Sequence, residues 1–199
     1  LGFPELAARI KEFDQWGVEV KTLHLRERDG YPFESVSFPV VDLRELVQQD
    51  WEGIDAEDGT VIRPRSDLID HLQRILFVTT YSPKGNDPQA GRRLGRSFFW
   101  TPSQDQWATI RSEWRQFQQE VAEGRAPYDR PYGSRRRRNR LTPASRTQVI
   151  HMRPHGRDSD DQYPDPHGRQ VTKQCFWLNQ RFVHRLVMEN HALPPSAGE

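Results

Sequence analysis

A mixed-sheet α/β domain is the fold class this sequence predicts, and three observations carry that expectation. A β-branched and aromatic run at 75–81 (Ile-Leu-Phe-Val-Thr-Thr-Tyr) reads as a buried strand. The segment 103–124 repeats apolar residues every three or four positions, the mark of a helix with one buried face. Strand-like and helix-like stretches alternate irregularly along the chain, the pattern of a mixed central sheet flanked by helices.

Taken in order, residues 4–16 place Leu6, Ile10 and Phe13 at helical spacing, and Gly17 breaks the pattern. Val18, Val20, Thr22 and Leu23 read as a strand, followed by an Asp29-Gly30 turn signal. Residues 35–41 predict a second strand, which Pro39 confines to an edge or a bulge. Asp42 then caps a short helix through Leu46 towards Trp51. Residues 52–65 are polar and read as an exposed loop. Helical spacing returns at 67–73, residues 82–93 read as loop, and 97–101 form a short aromatic strand.

In the 103–124 helix, Ser103 and Gln106 match a capping box and Gly124 supplies the stop. Trp107, Ile110, Trp114, Phe117 and Val121 form its core-facing stripe. Residues 126–140, rich in Pro, Gly and Arg, lack periodicity and read as a loop or arm. Strands follow at 147–152 and 170–177, with a polar loop at 156–168 between them and a helix from 179 to about 188 after them. These elements predict one domain over 1–191 and a frayed tail at 192–199.

A chain of 199 residues can bury a sizeable core. Its 29 basic and 28 acidic residues leave a net charge of +1, which excludes a strongly basic DNA-coating protein but permits a local basic cleft. One cysteine, Cys175, excludes an internal disulfide and a cysteine-rich zinc site, and suits the reducing cytoplasm. It reads as a small buried residue rather than a nucleophile. No apolar run approaches the roughly 18–20 residues of a membrane span.

Glu19 and Lys21 are two apart on a predicted strand and so share a face. A carboxylate beside an ammonium, with a second carboxylate close by, is how metal-dependent phosphodiesterases are commonly built. The carboxylates hold Mg²⁺ through hard oxygen ligands, and the lysine stabilises developing charge or orients the nucleophile. Glu12 or Asp14 would supply the second carboxylate, which makes Glu12, Asp14 and Glu19 the candidate metal ligands. A solvated surface ion pair gives the same Glu-x-Lys spacing, and both readings stand at this point.

Farther along, Arg153 offers the planar fork that pairs with guanine O6 and N7. Gln174 and Asn179 carry the amide that pairs with adenine, and Trp177 can pack on a base or a thymine methyl. Lys173, Arg169 and His155 are phosphate or base-edge donors. The alternative is a core Phe176–Trp177 pair ringed by ordinary polar surface. Arg135, Arg136, Arg137 and Arg138, with Arg140 after them, form the strong basic cluster, suited to sequence-independent phosphate contact.

Several of these segments, in order, resemble the MutH/Sau3AI group of DNA endonucleases, which comprises a methyl-directed mismatch-repair nickase and type II restriction enzymes acting at GATC. The matching stretches are Gly-Val-Glu-Val-Lys-Thr (17–22), Pro-Phe-Glu-Ser-Val-Ser-Phe (32–38), Leu-Gln-Arg-Ile-Leu-Phe (72–77) and Phe-Phe-Trp-Thr-Pro (98–102). The Trp114 helix, Met-Arg-Pro-His (152–155) and Lys-Gln-Cys-Phe-Trp-Leu-Asn (173–179) complete the set. The resemblance implies a restriction-endonuclease-like PD-(D/E)xK fold, Mg²⁺-dependent hydrolysis and recognition of GATC. By position, Glu19 and Lys21 match the second carboxylate and the lysine of the catalytic motif. Arg153, Pro154 and His155 fall on a base-reading loop, and Trp177 falls where the family places an aromatic contact to the target.

The chain also departs from that pattern. The family's first catalytic aspartate aligns without a gap to Glu12, and Asp14 reaches the position only with a register change. A further family lysine, in the helix before Leu72, is His71 here. Sau3AI-type enzymes resemble two similar halves joined in one chain, the second serving DNA recognition and allosteric activation. The 152–155 and 173–179 segments look more like that second half. With the start at Leu1, this predicts a recognition domain of a longer enzyme, binding double-stranded DNA at GATC-type sites beside a catalytic half or a homodimer partner. The alternative that the resemblance leaves open is a catalytically active Mg²⁺-dependent endonuclease.

Overall fold

The computed structural model describes residues 16–82, 93–127, 139–158 and 160–190. The expected helix at 4–16 with Glu12 and Asp14, most of the 82–93 loop, the run Arg135, Arg136, Arg137 and Arg138, and the tail lie outside the described residues. In chain order the elements are β1 (Glu19–Arg26), β2 (Val36–Val41), α1 (Leu43–Leu46), β3 (Ile54–Asp55), β4 (Val61–Arg63), α2 (Asp67–Leu72), β5 (Ile75–Ser82), β6 (Arg93–Leu94) and β7 (Phe98–Trp100). They continue with α3 (Gln104–Ala122), a 3-10 turn (Ala144–Arg146), β8 (Ile150–Pro154), β9 (Gln162–Pro164), β10 (Gln170–Thr172), β11 (Gln174–Leu178) and α4 (Gln180–Glu189). The class is mixed α/β, as expected. No described helix is long and apolar enough to cross a membrane.

The chain divides into two compact units: Leu1–Val36 with Ile69–Ser103 and Asn179–Glu199, and Ser37–Leu68 with Gln104–Leu178. In the first unit, Gly17 takes a φ of 63°, a turn that a side chain would strain, and delivers the chain into β1. β1 lies parallel to β5, with Glu19 opposite Ile75 and Leu25 opposite Tyr81. β5 pairs antiparallel with both β6 and β7, so this sheet is mixed. Leu23, Leu25, Ile75 and Phe77 are buried, and Trp100 meets Phe182 of α4 edge-on at 5.5 Å.

In the second unit β11 lies between β2 and β8. β2 is thus an edge strand, which is where Pro39, lacking an N–H, is tolerated. The α3 stripe packs inward through buried Ile110, Trp114, Phe117 and Val121. Phe117 meets Phe176 of β11 at 6.0 Å and Trp114 meets Trp51 at 5.5 Å. Asp42 caps α1 by accepting from the Arg44 N–H at 2.8 Å, though that helix stops after Leu46 rather than running on towards Trp51. Gly124 closes α3 at a φ of 74°, as the sequence predicts.

Three expectations change. Residues 52–65 are not loop throughout: β3 and β4 form a small antiparallel hairpin, turned by Asp58, whose carboxylate accepts from Thr60 N–H at 2.9 Å. The strand expected at 147–152 lies at Ile150–Pro154, because the amides of Gln148, Val149 and Ile150 donate to the buried carboxylate of Glu113. The strand expected at 170–177 is broken at Lys173, whose N–H bonds Asp161 O at 3.1 Å; β10 therefore pairs with β9, and β11 with β8.

Candidate functional site

β8 and β11 run antiparallel, with Arg153 opposite Cys175 and His151 opposite Trp177. Side chains alternate across a strand, so Ile150, Met152, Phe176 and Leu178 share one face, the one that meets α3, while Arg153 and Trp177 share the other. The cross-strand diagonal brings the Arg153 guanidinium to 3.8 Å from the Trp177 ring centroid, a cation–π stack. His155, one step past the end of β8, stands edge-on to the same ring at 5.0 Å. Arg153 and His155 are exposed, whereas Trp177 is 8% exposed and its Nε1 lacks a hydrogen-bond partner among the described residues.

The backbone under this cluster is fixed. His155 N–H donates to Lys173 O at 2.8 Å, which extends the β8–β11 ladder past Pro154. Gly156 follows where a Cβ would come within 2.9 Å of Thr172 Cγ2 and 3.0 Å of two carbonyl oxygens, so only glycine fits without a shift. Lys173 extends to Asp161, Nζ to Oδ1 at 2.7 Å. The Arg157 N–H, together with this lysine, holds the Asp161 carboxyl below its usual range.

The other residues expected to read bases stand differently. Gln174 is fully buried on the inner face of β11, and its Nε2 donates to Thr172 O at 2.8 Å. Asn179 is buried at the N-terminus of α4, where its carbonyl accepts from Val183 N–H. Arg169 is engaged with Asp165 and with Gly124 O, at 2.7 and 3.0 Å. The structure thus groups Arg153, His155 and Trp177, leaves Pro154 half-buried between them, and turns Gln174 and Asn179 inward.

In the first unit, Glu19 and Lys21 share a face of β1 as expected, and Lys21 Nζ lies 2.8 Å from Glu19 Oε1. The other carboxylate oxygen, Oε2, is 3.1 Å from His71 Nδ1 on α2. The His71 hydrogen bond, followed by Lys21, holds the Glu19 carboxyl down to about 2, against the upward push of burial. His71 was legible in sequence only as a replaced lysine; its bond to Glu19 spans 52 residues of chain, and no local pattern announces it. Among the described residues no group of three or more His, Cys, Asp or Glu is placed to hold a metal ion. A single half-buried carboxylate bonded to an ammonium and an imidazole is not the hard-oxygen donor set that Mg²⁺ requires, so the described residues do not fit that ion.

The family model described as DNA mismatch repair enzyme MutH matches residues 1–113, the stretch that carries Glu19, Lys21 and His71. The type II restriction enzyme Sau3AI of Staphylococcus aureus is 25% identical over 208 residues, covering 93% of this chain and 40% of its own length. The DNA mismatch repair protein MutH of Shewanella amazonensis is 28% identical over 116 residues, 58% of this chain and 45% of that protein. MutH of Klebsiella pneumoniae is 24% identical over 187 residues, 92% of this chain and 69% of that protein. The chain spans less than half the length of the first two relatives. With more than half of its residues under that family model and relatives of both kinds aligned along nearly all of it, the chain belongs to the MutH/Sau3AI-related family.

Proposed function

We propose that this chain binds double-stranded DNA sequence-specifically at GATC-type sites, as the recognition and allosteric half of a type II restriction endonuclease with a PD-(D/E)xK fold. The observation that carries the reading is the Arg153 guanidinium lying over the Trp177 ring, with His155 against the same ring. A stacked guanidinium keeps its N–H groups free at the edge of the plane and has little orientational freedom left to lose. Such a group meets guanine O6 and N7 through two parallel hydrogen bonds. Lys173 beside the cluster can exchange Asp161 for a phosphate oxygen, which would set register on the duplex.

The bonding at Glu19 suits a structural pair in a recognition half. Both oxygens of Glu19 are bonded to nitrogen donors, His71 foremost, which match the carboxylate's charge without a metal ion. One observation favours a second reading, in which Glu19 and Lys21 with Glu12 or Asp14 make the chain an endonuclease itself: the Glu-x-Lys pair does project from one face of β1.

Fluorescence anisotropy on a GATC duplex and a scrambled duplex tests the first reading, and a supercoiled GATC plasmid with Mg²⁺ tests the second. A GATC preference that Arg153→Ala removes, with no nicking at saturating protein, is the expected result. Equal affinity for both duplexes overturns sequence recognition. Nicking that Lys21→Ala abolishes replaces the recognition role with a catalytic one.

A further inference from the structure

The second half of β1 carries a cluster that no local spacing in the sequence singles out. Leu23 and Leu25 point into the core, so His24 and Arg26 occupy the opposite face of the strand. The chain turns back after Gly30 and lays Phe33 against them: His24 stacks on Phe33 with centroids 4.7 Å apart at 24°. The Arg26 guanidinium lies 5.2 Å from the Tyr31 ring and 5.8 Å from the Phe33 ring. Tyr31 in turn meets His184 of α4 at 4.9 Å.

Phe33 is 43% exposed, yet its backbone is tied on both sides. Its N–H donates to His24 O at 2.9 Å, and its carbonyl accepts from Gln180 Nε2 at 2.8 Å. His24 is itself pinned, Nδ1 to Thr80 Oγ1 at 3.1 Å. The neighbouring cations Arg28 and Arg93 are paired with Asp29 and Glu27, whereas Arg26 rests over aromatic rings and feels Asp29 only as a more distant charge. A part-exposed ring on a tied backbone, flanked by an imidazole and by a guanidinium that rests on rings, is the chemistry that stacks a nucleobase and neutralises its phosphate. One exposed ring offers far less apolar area than a protein partner needs.

We propose that Phe33, Arg26 and His24 form a second nucleic-acid contact in this chain: a stacking platform for an unpaired base of single-stranded DNA, with Arg26 as the cation for its flanking phosphate. It goes beyond duplex recognition by Arg153 and does not depend on it.

The test uses the whole chain and a short fluorescein-labelled oligothymidylate, read by anisotropy beside the GATC duplex. Phe33→Leu keeps the apolar volume and removes the π face; Arg26→Gln keeps the stem and removes the charge. Phe33→Leu is expected to weaken the oligonucleotide about fivefold or more, the loss one base–aromatic stack carries, and Arg26→Gln to weaken it and flatten its salt dependence by about 0.7, while duplex affinity stays within about twofold. Unchanged circular dichroism confirms that both variants fold. Oligonucleotide affinity that neither substitution alters overturns the assignment, including the case in which they weaken self-association in sedimentation instead. Failure of the duplex reading appears in the Arg153 arm alone, so the two outcomes are distinguishable.

Discussion

Replacing Arg153 separates a base reader from a generic cation, and the geometry sets the size of each effect. The stack on Trp177 exists before DNA arrives, so it contributes to the stability of the free chain and cancels from the binding equilibrium. Arg153 is exposed, so truncation opens no cavity, and the stability cost of Arg153→Ala is that of a surface cation–π pair, about 0.5–1 kcal/mol. Binding loses a bidentate guanine contact, about 1–3 kcal/mol, or roughly a 5- to 150-fold weaker GATC complex. Arg153→Lys retains the charge but not the planar fork, so it should fall nearly as far at GATC while leaving scrambled DNA within about threefold. A base contact releases no counterion, so the slope of log K against log salt should be the same for wild type and Arg153→Lys. Anisotropy titrations at several salt concentrations on both duplexes give all these quantities. If Arg153→Ala weakens GATC and scrambled DNA equally and lowers the slope by about one, Arg153 is a phosphate contact and the recognition argument is wrong.

Other perturbations test the remaining elements. Glu19 has its folded pKa lowered from 4.5 to about 2, so its contribution to stability is full above about pH 4.5 and is lost as pH falls towards 2. Urea unfolding at about pH 5 and pH 3 should show wild type losing up to about 2 kcal/mol more than Glu19→Gln; parallel losses would mean that the Lys21 and His71 bonds do not persist in solution. Glu113→Ala strands the buried amides of Val149 and Ile150 and the part-buried amide of Gln148 at the start of β8, and should cost about 3 kcal/mol, seen calorimetrically as a Tm lowered by about 6–12 °C. Glutamine at 135–138 should weaken every DNA sequence alike and flatten the salt dependence by up to about 3.6, or about 0.9 for each phosphate that an arginine no longer neutralises.

The sequence displays the elements whose periodicity is local. The α3 stripe, the β5 run and the proline that marks β2 as an edge each follow from spacing within a few residues. What it conceals depends on partners far along the chain. The Glu113 carboxylate reads as one more polar position on α3, yet it displaces the start of β8 by taking amides more than thirty residues away. The β3–β4 hairpin is hidden because its strands are two and three residues long and largely exposed, so no alternation has room to develop. At the site, Arg153, His155 and Trp177 were each legible as nucleic-acid chemistry, but their convergence depends on the β8–β11 register. Gln174 shows the reverse: its amide suggests base reading, and strand alternation turns it into the core.

The hydroxyl of Tyr163 on β9 donates to Val41 O at 2.7 Å and accepts from Gln174 N–H at 3.3 Å, so a phenol stands as a rung between the end of β2 and the start of β11. Burial, the larger influence, pushes its ionisation well above the ordinary value of 10. In alkaline solution the folded chain keeps this phenol neutral while the unfolded chain gives it up. The stability it supports is intact below about pH 10 and drains away above it. An edge strand tethered by a tyrosine is thus sensitive to base in a way that a purely backbone ladder is not, and the strand beside the Arg153–Trp177 stack inherits that sensitivity.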